Sequence, residues 1–97
     1  MLQHYVFIKY LEDASRAHVD AFCDKMHALE KLIPEIESLE IGRDILRDER
    51  SWDLLLIMSF KSTASLRTYQ KHPEHQAVMK FNNPFVAEVG SVDFEKS

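Results

Sequence analysis

The sequence predicts an α+β fold of β-α-β-β-α-β order, the split βαβ or ferredoxin-like arrangement, with a four-stranded antiparallel sheet. Three observations predict it. Residues 2–10 and 52–60 are rich in β-branched, aromatic and aliphatic side chains, as strands are. Between them, Val19, Phe22, Met26, Leu29 and Ile33 recur at steps of three and four, which makes one apolar helical stripe. After residue 60 come two short helical stretches punctuated by prolines, then a last apolar run at residues 89–95.

Taken in order, residues 2–10 form the first strand. Alternation puts His4, Val6, Ile8 and Tyr10 on one face, with Tyr5, Phe7 and Lys9 opposite. A polar break follows, in which Asp13 or Ser15 can cap a helix. The helix carries the apolar stripe and stops before Pro34. Cys23, at the stripe's edge, is a packing residue, since no cation or histidine stands near it in sequence. His18 and His27 lie off the stripe and are expected at the surface.

Residues 36–45 form the second strand, with Leu39 and Ile41 inward and Gly42 marking a bulge. Residues 43–51 form a charged loop. Its arginines, Arg43, Arg47 and Arg50, are interleaved with Asp44, Asp48 and Glu49 and so are neutralised rather than gathered into an anion site. Residues 52–60 form the third strand, where Leu54 to Met58 run without alternation, the pattern of a strand buried on both faces. Ser62 or Thr63 caps a helix through Leu66, Tyr69 and Gln70. Pro73 belongs at the first position of a new helix, so His72 sits at a break. That helix carries Val78, Met79 and Phe81. Asn83 caps a last helical turn through Val86 and Ala87, and residues 89–95 form the fourth strand with Val92 and Phe94 apolar.

Strands one and three are apolar on both sides, yet two helices cover only one face of the sheet. Left bare, a face carrying Val6, Ile8, Leu54 or Leu55 and Ile57 would be a large apolar patch. A second subunit packed sheet to sheet removes it, so the pattern predicts a homodimer.

The chain of 97 residues is expected to be one domain spanning residues 1–97, with 45% apolar and 29% charged residues. A net charge of −4 excludes a nucleic-acid binder, which needs a basic footprint. The absence of a run of eighteen or more apolar residues excludes a membrane span. The apolar start is interrupted by His4 and Lys9 and has no basic leader, so it is expected to be structure and not a signal peptide. With Cys23 the only cysteine, the expected setting is reducing and cytoplasmic.

The stretch richest in chemistry is Tyr69-Gln70-Lys71-His72-Pro73-Glu74-His75-Gln76. The break at Pro73 can aim a phenol and two imidazoles into one cavity. The structural alternative is a string that merely ends one helix and starts another. His72-x-x-His75 makes a poor metal site, because no third ligand has a suitable spacing and Pro73 distorts the geometry. No metal or cofactor is expected.

That string, with His4-Tyr5-Val6-Phe7-Ile8-Lys9, Leu32-Ile33-Pro34-Glu35-Ile36 and Gly42-Arg43-Asp44, resembles the stress-responsive alpha-beta barrel (Dabb) family. The anchors run from residue 3 to about residue 95. The resemblance implies a dimeric α+β barrel. One plant branch of the family cyclises polyketide chains, with a histidine of this motif as base and a tyrosine and the first-strand histidine beside it. Carried over by position, these are His75, Tyr69 and His4. Gln76 departs from that branch, which has a small apolar residue there, and is expected to narrow or polarise the pocket.

Three functions follow. The first is cofactor-free acid–base chemistry, such as a cyclase, lyase or isomerase, on a small carbonyl or polyketide-like compound. The second is a non-catalytic dimer that holds a small apolar ligand or is protective under stress. The third, a barrel-type monooxygenase, lacks the expected pattern of His, Asn and Trp; Trp52 stands beside a charged loop. An enzyme should converge His75, Tyr69 and His4 on an open cavity, whereas a module would fill it with Met58, Phe60 or Phe81.

Overall fold

The computed structural model describes residues 1–97. Its elements are β1 (Leu2–Tyr10), α1 (Arg16–Leu32), β2 (Ser38–Arg43), β3 (Leu54–Phe60), α2 (Thr63–Lys71), α3 (Pro73–Asn82) and β4 (Val86–Glu95), with a 3-10 turn at Asn83–Phe85. The sheet has the order β2-β3-β1-β4, and all three pairings are antiparallel. This is the ferredoxin-like α+β arrangement that the order of elements predicts.

The caps follow the sequence. Ser15 Oγ accepts from the His18 N–H at 3.0 Å and starts α1; Ser62 Oγ accepts from the Ser65 N–H at 3.1 Å and starts α2. Phe22, Met26, Leu29 and Ile33 are fully buried, and Val19 packs at the margin of the same core. They meet Leu54, Leu56, Met58 and Phe60 on the helix side of β3, together with Leu39 of β2. Burial of each such side chain contributes about 1.5–3 kcal/mol. Cys23 is buried, as packing requires, although the fold brings Arg43 of β2 against it.

Several local expectations are corrected. The second strand is shorter than residues 36–45: Ile36 enters the core from the turn after α1, and its N–H bonds back to the Ile33 carbonyl. Gly42 marks no bulge, because it pairs in register with Leu55; the irregularity falls between Lys9 and Tyr10, opposite β4. The third strand begins at Leu54, although the Asp53 N–H still bonds to the Ile8 carbonyl and the Asp53 carbonyl accepts from the Asp44 N–H. Asn83 starts only a 3-10 turn, without a side-chain cap, and β4 begins at Val86, three residues early. The edge strand gains those residues because Tyr10 pairs with Val86 across the irregularity.

The two faces of the sheet also sort differently from the bare-patch expectation. His4, Val6, Ile8, Leu54 and Leu56 lie on the helix side. The outer face instead carries Tyr5, Phe7, Leu55 and Ile57, joined by Val92 opposite Tyr5. Phe94 packs edge-on against Tyr5, with ring centroids 5.2 Å apart. In the charged loop, Arg47 adopts a left-handed backbone (φ 54°) that lets its guanidinium reach both Asp44 and Asp53. Arg43 bonds to Asp20 of α1 at 2.7 Å. No helix is long and apolar enough to cross a membrane.

Candidate active site

The site begins at the break between α2 and α3. A continuous helix would pair the Glu74 N–H with the Gln70 carbonyl. Pro73 prevents that continuation, and His72 takes an extended backbone (φ −63°, ψ 133°). The Glu74 N–H goes instead to His72 Nδ1 at 3.1 Å, so His72 is the cap of α3. The Gln70 carbonyl is thereby freed. It accepts from His75 Nδ1 at 3.1 Å and from Gln76 Nε2 at 2.7 Å.

That carbonyl can only accept, so His75 carries its proton on Nδ1 and leaves Nε2 with a free lone pair. Burial lowers the His75 pKa from its ordinary 6.5, and the Gln70 hydrogen bond offsets only part of the shift. His75 is therefore neutral at pH 7. Gln76, expected to narrow the pocket, turns outward to the same carbonyl and does not border the cavity.

Tyr69, in the last turns of α2, is 2% exposed. Its ring centroid lies 4.3 Å from that of His75 and 5.2 Å from that of Phe60. Burial raises its pKa, so the phenol stays protonated and is a donor. No enclosed polar atom of the chain lacks a partner, and the Tyr69 hydroxyl has none within the protein, so it must reach open space. That space is a cavity of about 230 Å³ between β1, β4 and α3.

His4 lies on the same cavity, buried, with its ring edge-on to Phe60. Its partner is a side chain: Nδ1 donates to the carboxylate of Asp93 on β4. Register explains the pairing, because His4 and Asp93 stand opposite each other in the ladder and share a face. Asp93 thus holds the ring with Nε2 turned away from the carboxylate. The structure brings His4, Tyr69 and His75 to one cavity, which Met58, Phe60 and Phe81 leave open.

Sequence reasoning missed the other end of the cavity. His18, expected at the surface, is half-buried: its ring stacks on Phe81 at 4.6 Å and lies 4.2 Å from Phe85. Its Nε2–H donates to Asn82 Oδ1 at 3.0 Å, and the Tyr10 hydroxyl donates to the same oxygen at 2.7 Å. Burial pushes the Tyr10 phenol up to about 12, which keeps it a donor. Asn82 is 2% exposed and borders the cavity. The only hint in the sequence was the shared β1 face, which points Tyr10 to the same side as His4.

Solved structures share this fold. A dimeric ferredoxin-like protein of unknown function from Thermobifida fusca YX superposes with a TM-score of 0.88 at 21% identity, over 98% of this chain and 90% of that one. A dimeric ferredoxin-like protein of unknown function from Bacteroides fragilis does so with 0.87 at 24% identity, covering 98% and 95%. A hydroxynitrile lyase from Passiflora edulis does so with 0.87 at 18% identity, covering 99% and 93%. No curated protein matches the sequence. Residues 2–96 match the stress responsive A/B barrel domain, and the chain belongs to that family.

Proposed function

We propose that this chain binds a small neutral carbonyl compound in the cavity and moves a proton on the carbon beside the carbonyl. His75 Nε2 is the general base. It takes the proton, the C–H electron pair passes into the enolate, and the Tyr69 hydroxyl donates to the enolate oxygen. The proton then returns from His75 to carbon. His4, oriented by Asp93, offers a second imidazole nitrogen to the same space. Acid–base transfer of this kind uses side chains alone.

The observation that carries this reading is the convergence of a neutral imidazole lone pair and a protonated phenol on one largely apolar cavity. A low-dielectric wall strengthens both interactions. The fold shared with a protein described as a hydroxynitrile lyase is in keeping with small-molecule chemistry at such a site.

The reading includes a homodimer packed through the outer sheet face, which carries Tyr5, Phe7, Leu55, Ile57, Val92 and Phe94. Val92 and Phe94 are exposed in the single chain, and a contiguous apolar face of this kind is rarely left in water. That similar structures are described as dimeric supports the assembly.

The test is deuterium exchange at the carbon beside the carbonyl, followed by NMR in D2O across a panel of neutral ketones and aldehydes. Protein-dependent exchange that vanishes in His75→Ala is expected. Binding without exchange on any member would leave a ligand-holding module in place of an enzyme.

A further inference from the structure

The cavity has a second polar end, made by Asn82. Its carbonyl oxygen takes two hydrogen bonds, from Tyr10 and His18, while its amide N–H2 group has no partner within the chain. Since no enclosed polar atom is left unsatisfied, the amide nitrogen must reach open space, and the space that this buried residue borders is the cavity. A buried, oriented and unoccupied donor pair is costly to leave without an acceptor.

His75 and Asn82 are seven residues apart on α3, which is two turns. They therefore lie on one face, about 10 Å apart along the axis. Met79, between them, borders the cavity, as do Val6, Ile8 and Leu56 of the facing sheet. Two turns of helix between them leave room for a ligand of several heavy atoms to meet His75 at one end and Asn82 at the other. No Lys or Arg borders the cavity, so a carboxylate there would be buried without a counter-ion.

We infer that Asn82 is a specificity-determining residue, selecting ligands with a second, uncharged acceptor oxygen a few bonds from the carbon that His75 approaches. The substrate class is then a neutral compound with two carbonyl oxygens and an apolar spacer, of the 1,5-dicarbonyl kind. This rests on the reading that the cavity takes carbonyl compounds.

The probes are 2,6-heptanedione, 2-heptanone, which keeps the chain length and loses the second carbonyl, and 5-oxohexanoate, which makes the second group anionic. Affinities are measured by NMR titration on the full chain. The diketone should bind about tenfold tighter than 2-heptanone, the worth of one buried hydrogen bond, and tighter than 5-oxohexanoate. Asn82→Leu should bind both ketones alike. Should that variant fail to fold, Asn82→Asp keeps the acceptor for Tyr10 and His18 while removing the N–H2, and the same loss of preference is expected. Equal binding of the two ketones by the unaltered protein, or a preference that survives in a folded variant, overturns the role of Asn82 and leaves the carbonyl reading standing. Tighter binding of 5-oxohexanoate overturns the uncharged class. No binding of either ketone overturns both inferences together.

Discussion

The rings of Tyr69 and His75 face each other across the break between α2 and α3, with centroids 4.3 Å apart and planes tilted by 49°. They belong to different helices, so the contact exists only because Pro73 interrupts the chain between them. A straight helix would set residues 69 and 75 on different faces. The break thus presents an imidazole lone pair and a phenolic proton to one volume.

Replacing His75 with Ala should reduce proton exchange by at least about a hundredfold, the lower end for a general base. The melting temperature should hold, because the Gln70 carbonyl still accepts from Gln76. Tyr69→Phe removes one donor and keeps the ring, so its loss should be smaller. Kinetics and thermal melts on both variants check this; a His75→Ala protein that melts early and keeps its rate would assign His75 to folding alone.

The pH dependence follows from burial of His75, which holds its pKa below the ordinary 6.5. The unfolded chain then binds the proton more readily than the folded one. Stability from this group is present in full above pH 6.5 and falls as pH drops through 6.5 towards the lower folded value. The base stays neutral through the same window, so the acid limb of activity should lie below pH 6.5. Denaturant midpoints and rates between pH 5 and pH 8 test both, and His75→Ala should flatten part of the stability slope.

Phe22 is wholly buried between α1 and the sheet. Phe22→Ala should cost about 3–5 kcal/mol, as truncation of a core aromatic does. Urea unfolding measures it. A loss below about 1 kcal/mol would mean that the site collapses or that the packing differs from this arrangement.

The chain mass is 11.4 kDa, and sedimentation should return about twice that value. Ile57 sits on the outer face opposite Tyr5, half-buried in the single chain. Ile57→Asp puts a carboxylate into the proposed interface, where burial without a partner is costly. It should give a monomer or an unstable protein. An unaltered dimer would move the interface elsewhere.

Local chemistry was enough for much of this. The period of the apolar residues located α1 and its core face, and Ser15 and Ser62 marked helix starts because a hydroxyl there accepts an orphan N–H. Pro73 announced the break, and the alternation along β1 placed His4, Val6, Ile8 and Tyr10 on one side. These properties depend on neighbours within a few residues. Boundaries were less legible: β4 begins early because pairing with Tyr10 recruits Val86, which no local signal records.

The partners of His4 and Asn82 belonged to the tertiary structure alone. Asp93 reaches His4 across 89 residues of sequence, and Asn82 meets Tyr10 and His18 across 72 and 64. An aspartate near the chain's end and the first asparagine of Asn82-Asn83-Pro84 look like solvent and turn residues until register and helix packing turn them inward. Local pattern was enough for the two faces of β1 and for the helix break, but not for which β3 residues join each face. Only the tertiary structure decided the partner of His4, because strand register brings Asp93 within hydrogen-bond reach, whereas His75 meets a carbonyl five residues away at the break itself.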